Sequence, residues 1–230
     1  MSFSVSRRFC GPDESANGGW FSGRLAEEAG ITGPASVRLL SPPPLEREIQ
    51  IMPDGGAYVA MAGDLPIARV APGEPPSFEE LPEPVSFARA EAAGPQYPGP
   101  QEHPFDHCFS CGTRRDPSDA LCLQPGPIAG GMCAAAWRPR EVTAAILWSA
   151  LDCPGGWALG VGGRPMVLGT ITGQIHRMPP PGEELVVMAW AISSQGRKHT
   201  AGTALYTGSE VLAQARSVWI AVDPAAIRPA

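Results

Sequence analysis

No stretch of this sequence stays apolar for long enough to cross a bilayer as a helix, so no membrane partner is expected. A surplus of basic residues is also missing. The net charge is -6, the sign that repels a phosphate backbone, and nucleic acid is therefore not an expected partner. There is no Gly-x-Ser-x-Gly, and without it the strained turn that exposes the nucleophile of a serine hydrolase has no support. There is no second Cys-x-x-Cys pair beside Cys108 and Cys111. His103, His107 and Cys122 could complete a ligand set with those two, but the paired spacing of a zinc knuckle is absent and no metal is expected. Arg7-Arg8 is not followed by an apolar run, since Gly11 to Ser15 is polar, so an export signal is not read here. The expectation is a cytoplasmic protein with reduced cysteines.

Glycine and proline are plentiful, 27 of each, in a chain of 230 residues that is 43% hydrophobic. This is enough apolar material for a sizeable core, cut by many turns. From Ala71 to Pro104 proline and glutamate dominate and Arg89 is the only basic residue, which reads as an extended acidic linker over 73–104. It separates an N-terminal unit, 1–72, from a C-terminal unit, 105–230. Asn17 is a natural cap for a helix running to about Gly30, with Phe21, Leu25 and Ala29 on one face. Strands are expected near 35–41, 46–52, 56–62 and 65–71 in the first unit. In the second they are expected at 119–126, 129–137, 165–177, 184–194, 198–207 and 211–222.

The stretch Ile146–Gly160 organises the second unit. Ile146, Leu147, Ala150 and Leu151 recur at helical spacing and lead to Asp152, after which Pro154-Gly155-Gly156 should kink or stop the helix. Asp152 then either caps a short helix starting at Pro154 or is a carboxylate held for chemistry. Both units show a helix, a Pro-Pro-Pro turn and a strand meander in the same order. Trp20 precedes Pro42 by the same interval at which Trp157 precedes Pro179, so the pattern reads as an internal duplication.

Three motifs carry a resemblance. They are His107-Cys108-Phe109-Ser110-Cys111-Gly112 leading into Leu121-Cys122-Leu123, Ala150-Leu151-Asp152 with Gly156-Trp157-Ala158, and Asn17-Gly18-Gly19-Trp20-Phe21. Together with the repeat they resemble the double-hotdog acyl-CoA thioesterases of the phenylacetyl-CoA and type II kinds. The resemblance implies an α+β protein of two fused hotdog domains, each a curled antiparallel sheet around one helix. It implies a small-molecule acyl thioester as substrate, with coenzyme A part of that substrate and no separate cofactor, and a homodimer of such chains. Asp152 becomes the base or nucleophile, while Asn17, Gly18 and Gly19 open a helix whose N–H groups face the developing oxyanion. Aligned on the acid, the first unit has Ala26 where Asp152 stands, so one composite site per chain is expected. The type II class uses Asp, Thr and Gln together. Thr170 or Thr172 would be the threonine, and no glutamine stands at the expected place, although Gln214 is close. Trp20 and Trp157 are candidates for the acyl pocket, and Arg177 and Arg197 for the phosphates of coenzyme A. The alternatives are a thioester-binding protein that has lost its activity and a hotdog dehydratase. The missing His-bearing motif beside Gly18-Gly19 speaks against the latter.

Overall fold

The computed structural model describes residues 1–78 and 81–223. Its strands are β1 (Ser2–Phe3), β2 (Ala35–Leu39), β3 (Ile49–Asp54), β4 (Ala57–Ala62), β5 (Leu65–Pro72), β6 (Gly126–Ile128), β7 (Met132–Trp137), β8 (Met166–Ile175), β9 (Leu185–Gln195), β10 (Lys198–Thr207) and β11 (Glu210–Ala221). The helices are α1 (Gly18–Glu28), α2 (Phe87–Ala93), α3 (Gly99–Glu102) and α4 (Ala144–Ala158). All strands join in one antiparallel sheet of order β1-β3-β4-β5-β2-β8-β11-β10-β9-β7-β6. The order reads the same from either side of the β2–β8 seam, with β5, β4, β3 and β1 mirrored by β11, β10, β9 and β7. At the seam Ala35 faces Gly173 and Val37 faces Ile171. No described helix is long and apolar enough to cross a membrane.

Both long helices start on side-chain caps, as sequence predicts for α1. Asn17 Oδ1 accepts the Trp20 N–H at 2.8 Å, and Thr143 Oγ1 accepts that of Ile146 at 3.2 Å. Each ends before a glycine of positive φ, Gly30 at 67° and Gly160 at 78°. Helix α4 does not break at Pro154 but continues to Ala158. Proline withholds only one N–H, the partner of Ala150 O, and the next carbonyl, Leu151 O, takes the Thr203 hydroxyl at 2.8 Å. Gly155 and Gly156 then lay the helix directly on the sheet. A Cβ on Gly156 would come within 2.9 Å of the Trp219 ring. With the sheet on one side and α1 on the other, Ala145 to Trp157 are all buried.

Helices α1 and α4 run antiparallel in backbone contact. A Cβ on Gly19 would lie 2.5 Å from Trp148 O, and one on Gly23 would lie 2.8 Å from the Ala145 Cα. Leu25 and Phe21 fill the core beside this contact.

The segment 73–104 is not a free linker. Glu79 and Glu80 lie outside the described residues; Phe78, Pro82 and α2 pack across the outer face of the second unit's sheet, while Tyr97 and His103 pack edge to face on Trp157 of α4. Phe78 meets Trp190 edge to face at 5.1 Å, the Tyr206 hydroxyl donates to Pro82 O at 2.9 Å, and Ala90 of α2 joins a second core with Ala134, Val186, Met188 and Ala204. These sheet residues alternate with Leu185, Val187 and Leu205, which face the α4 core. A sheet apolar on both faces needs a cover on each, and this strap supplies the outer one. The proposed strand 119–126 is likewise absent apart from Gly126, which opens β6. That segment instead bonds to the cysteine loop, Leu121 N to Phe109 O and Leu123 N to Ser110 O, both at 2.9 Å.

The helix contact leaves no room for a methyl group that could only point into backbone. Gly23→Ala should destabilise the fold by about 1–3 kcal/mol through overpacking. Thermal unfolding checks this. An unchanged midpoint would mean that the two helices separate without cost.

Candidate functional site

A cavity of about 450 Å³ opens beside the start of α1. Its walls come from both units: Asn17, Gly18 and the 39–43 turn from the first, Met166 to Gly169, Trp219 and Ile220 from the second. Leu39, Leu40, Phe105, Met166, Leu168 and Trp219 make it predominantly apolar, and Arg197, an exposed residue, also lines it. Asp152, Cys108 and Cys153 belong to the same lining.

Asp152 is 2% exposed, so its carboxylate is held at a cost unless it is bonded. One oxygen is. Oδ2 accepts the Gly19 N–H at 2.8 Å, so the acid of α4 caps α1 of the other unit and not a helix of its own. The second oxygen, Oδ1, is buried and has no partner among the described residues. Burial pushes the carboxyl up to about 8. The Gly19 bond opposes that rise, and nearby Cys108 adds to it. At the start of α1, Gly19 N–H is therefore committed to Asp152 and Trp20 N–H to Asn17. The Gly18 N–H, in a residue that lines the cavity, is bonded to none of the described residues. A free N–H at a helix start is a donor aimed at negative charge.

Asn17 is more than a cap. Its Oδ1 also accepts the Ser149 hydroxyl at 3.0 Å, which fixes the amide so that Nδ2 points at Cys108 and Cys153, 3.6 Å from each sulfur. The Cys108 and Cys153 sulfurs are 3.5 Å apart, and Cys111 completes a buried trio whose sulfurs lie within 4.8 Å of one another. Hydrogen bonds from Cys111 and Cys153 hold the Cys108 thiol well below the ordinary thiol range. Ser110 Oγ donates to Ser149 O at 2.9 Å, pinning the cysteine loop to α4. A Cβ on Gly112 would sit 2.5 Å from Cys108 O, so the turn requires glycine there.

The sequence candidates fall into two groups. Asn17, Gly18, Asp152 and Arg197 line one cavity, with Gly19 bonded directly to Asp152. The others stand outside that lining. Trp20 stacks on Phe9 at 4.1 Å, and Trp157 packs on Tyr97 and donates to Cys111 Sγ at 3.4 Å. Arg177 is exposed and doubly bonded to Glu210. Thr170 lies on β8 opposite Arg38 and Val218, and Thr172 donates to Ser36. Gln214 is paired with Ala204 and Gln174 in the sheet, so an Asp–Thr–Gln trio does not line this cavity. Of the ligand candidates, His107 pairs with Asp13 at 2.9 Å and Cys122 bonds to Arg115 O, both apart from the trio. Cys153 was missed as their partner. Its adjacency to Asp152 on a buried helix was the available signal.

No family model matches the chain, and no curated protein matches it. Solved structures do. A protein of unknown function with hot dog fold from Alicyclobacillus acidocaldarius superposes with a TM-score of 0.61 at 12% identity, covering 97% of this chain and 93% of that one. The acyl-CoA thioesterase II TesB2 of Mycobacterium marinum gives 0.54 at 14% identity, over 94% and 92%. The tesB protein of Mycobacterium avium subs paratuberculosis gives 0.58 at 11% identity, over 90% and 88%. At such identities the likeness is one of architecture, and it extends over nearly the whole chain: the protein has the hot dog fold, in the arrangement also seen in these solved structures.

Proposed function

We propose that the cavity takes an acyl thioester and that the chain hydrolyses it between two duplicated hotdog halves. One observation carries this reading. A buried carboxyl with one oxygen left over and a helix-start glycine whose N–H has no partner among the described residues line the same apolar cavity, and they come from different halves. Asp152 Oδ2 is anchored by Gly19, which leaves Oδ1 of the ionised form, the form that gains as pH rises through about 8, to take a proton from water as that water attacks the thioester carbon. The carbonyl oxygen gains negative charge beside the Gly18 N–H, the donor still available there. The thiolate leaves and recovers the proton held on Asp152, giving a carboxylic acid and a free thiol. Of the Gly-Gly pair, then, Gly18 serves the substrate and Gly19 serves Asp152.

The mirrored strand order supports duplication, and so do the matched glycine ends of the helices. Aligned on Gly30 and Gly160, the two helices place Ser22 opposite Asp152 instead of Ala26. A serine buried against Gly18 O at 2.7 Å is no general base, which favours one competent site per chain. The type II Asp–Thr–Gln arrangement is not the chemistry favoured here, because only the acid reaches the cavity.

Asp152→Asn keeps the bond to Gly19 and removes the base. Turnover of an acyl-CoA should fall by about 100-fold or more while binding holds. Thiol release measured over aromatic, short and long acyl-CoAs tests this. A fully active variant would sink the hydrolytic reading. If the parent binds acyl-CoA in calorimetry but releases no thiol from any of the panel, the chain is a binding protein instead.

Arg197 is the one arginine among the cavity-lining residues, suited to the phosphates of coenzyme A. Arg197→Ala should raise KM for a CoA thioester roughly fivefold, as expected for an exposed ion pair, with kcat unchanged. The same substitution should not alter KM for an acyl-pantetheine, which lacks the nucleotide. Equal effects on both substrates would mean that Arg197 does not read phosphate.

A further inference from the structure

We propose that Cys108, Cys111 and Cys153 hold a thiophilic divalent cation of the zinc class in the wall of the cavity. The three sulfurs come from two separate parts of the chain, the 108–111 turn and the middle of α4, and converge to within 4.8 Å of one another. Three sulfurs sharing an ion at about 2.3 Å from each must approach in this way. Thiols buried only as apolar filler have no need to meet.

The surroundings are those of metal-bound thiolates. Asn17 Nδ2 points at both Cys108 and Cys153, and Trp157 Nε1 donates to Cys111. His103 Nδ1 accepts the Phe105 N–H at 3.0 Å, which puts the ring proton on Nε2, and Nε2 lies 3.1 Å from Cys111 O and 3.3 Å from Cys111 Sγ. Each sulfur thus faces at least one N–H, aimed by a residue that is itself fixed. Such donors favour negatively charged sulfur. No lysine or arginine of the described residues bonds to any of the three; Arg115 is directed instead to Cys10. The three sulfurs share one buried pocket with no cationic side chain of the described residues beside them, and a metal ion would supply the positive partner that bound thiolates need.

The tautomer of His103 makes it a donor to Cys111 and not a ligand. Three protein ligands remain, all sulfur, and their softness selects zinc-class ions over magnesium or calcium. Cys108 and Cys153 both line the cavity, so the fourth position is open to water from it. This site stands apart from the hydrolytic reading, since it requires neither a substrate nor a reaction.

The full chain, expressed with zinc in the medium and purified under thiol reductant without chelator, should carry about one zinc per chain by plasma mass spectrometry. Cys111→Ser should lose most of it, while Cys122→Ser and Cys10→Ser keep it. Cobalt(II) added to metal-free parent protein should produce thiolate-to-metal absorption in the near ultraviolet and the strong visible bands of a tetrahedral ion. That arm needs no variant, so a misfolded Cys111→Ser does not spare the proposal. Parent protein that retains no zinc and gives no charge-transfer band overturns it. So does a Cys108–Cys153 disulfide in protein purified under reductant, or retention of the metal by a well-folded Cys111→Ser.

Discussion

The hydrogen bond from Gly19 to Asp152 is the constraint on which the rest of the molecule turns. For a mid-helix carboxylate to cap a second helix, the two backbones must nearly touch. Only glycine at positions 19 and 23, facing Trp148 and Ala145, allows that approach. The same contact holds α1 and α4 together on one face of the sheet, where the strands of the two units continue into one another at the β2–β8 seam. Burying Asp152 is costly, and that cost explains the polar scaffold around it. Asn17, Ser149 and the Gly19 N–H occupy an otherwise apolar contact, and each is hydrogen-bonded.

Much of the architecture was legible in local sequence. The caps at Asn17 and the glycine at Gly30 delimit α1, and the turn signals at Gly63-Asp64 and Gly208-Ser209 mark the tips of hairpins that do form. What local sequence could not show depends on tertiary contact. Proline normally ends a helix, yet α4 passes through Pro154, where it is buried between α1 and the sheet and Leu151 O also takes the hydroxyl of Thr203, a strand residue 52 positions from Leu151. Acidic, proline-rich composition reads as linker, yet 73–104 lies along a sheet whose outer face is also apolar. Ala134, Met188 and Ala204 on that face are the trace it left in the sequence.

The site was partly legible for the same reason. Asp152 and Gly18-Gly19 stand out because an acid beside a proline and a pair of glycines at a helix start are locally odd. Which glycine does what could not be read, since it depends on Asp152 arriving from another unit and occupying the N–H of Gly19. Trp20 and Trp157 were plausible pocket residues by size alone, but both are committed to aromatic packing, on Phe9 and on Tyr97. Arg177 is taken up by Glu210 and Glu183 away from the cavity that Arg197 lines, a difference in position and partners that strand register decides.

Asn17 touches both proposed features of the cavity. Its oxygen closes the first turn of α1 and receives Ser149 of α4, while its nitrogen turns to the sulfurs. An aspartate at this position would cap the helix equally well but would present a negative oxygen where Nδ2 now stands, against Cys108 and Cys153. A serine would cap the helix but could not span from Trp20 to the sulfurs. Helix capping alone is therefore too weak a requirement to explain an amide here. Beyond the cap, the amide gives Cys108 and Cys153, which line the wall beside Asp152, a hydrogen-bond donor that neither aspartate nor serine would provide.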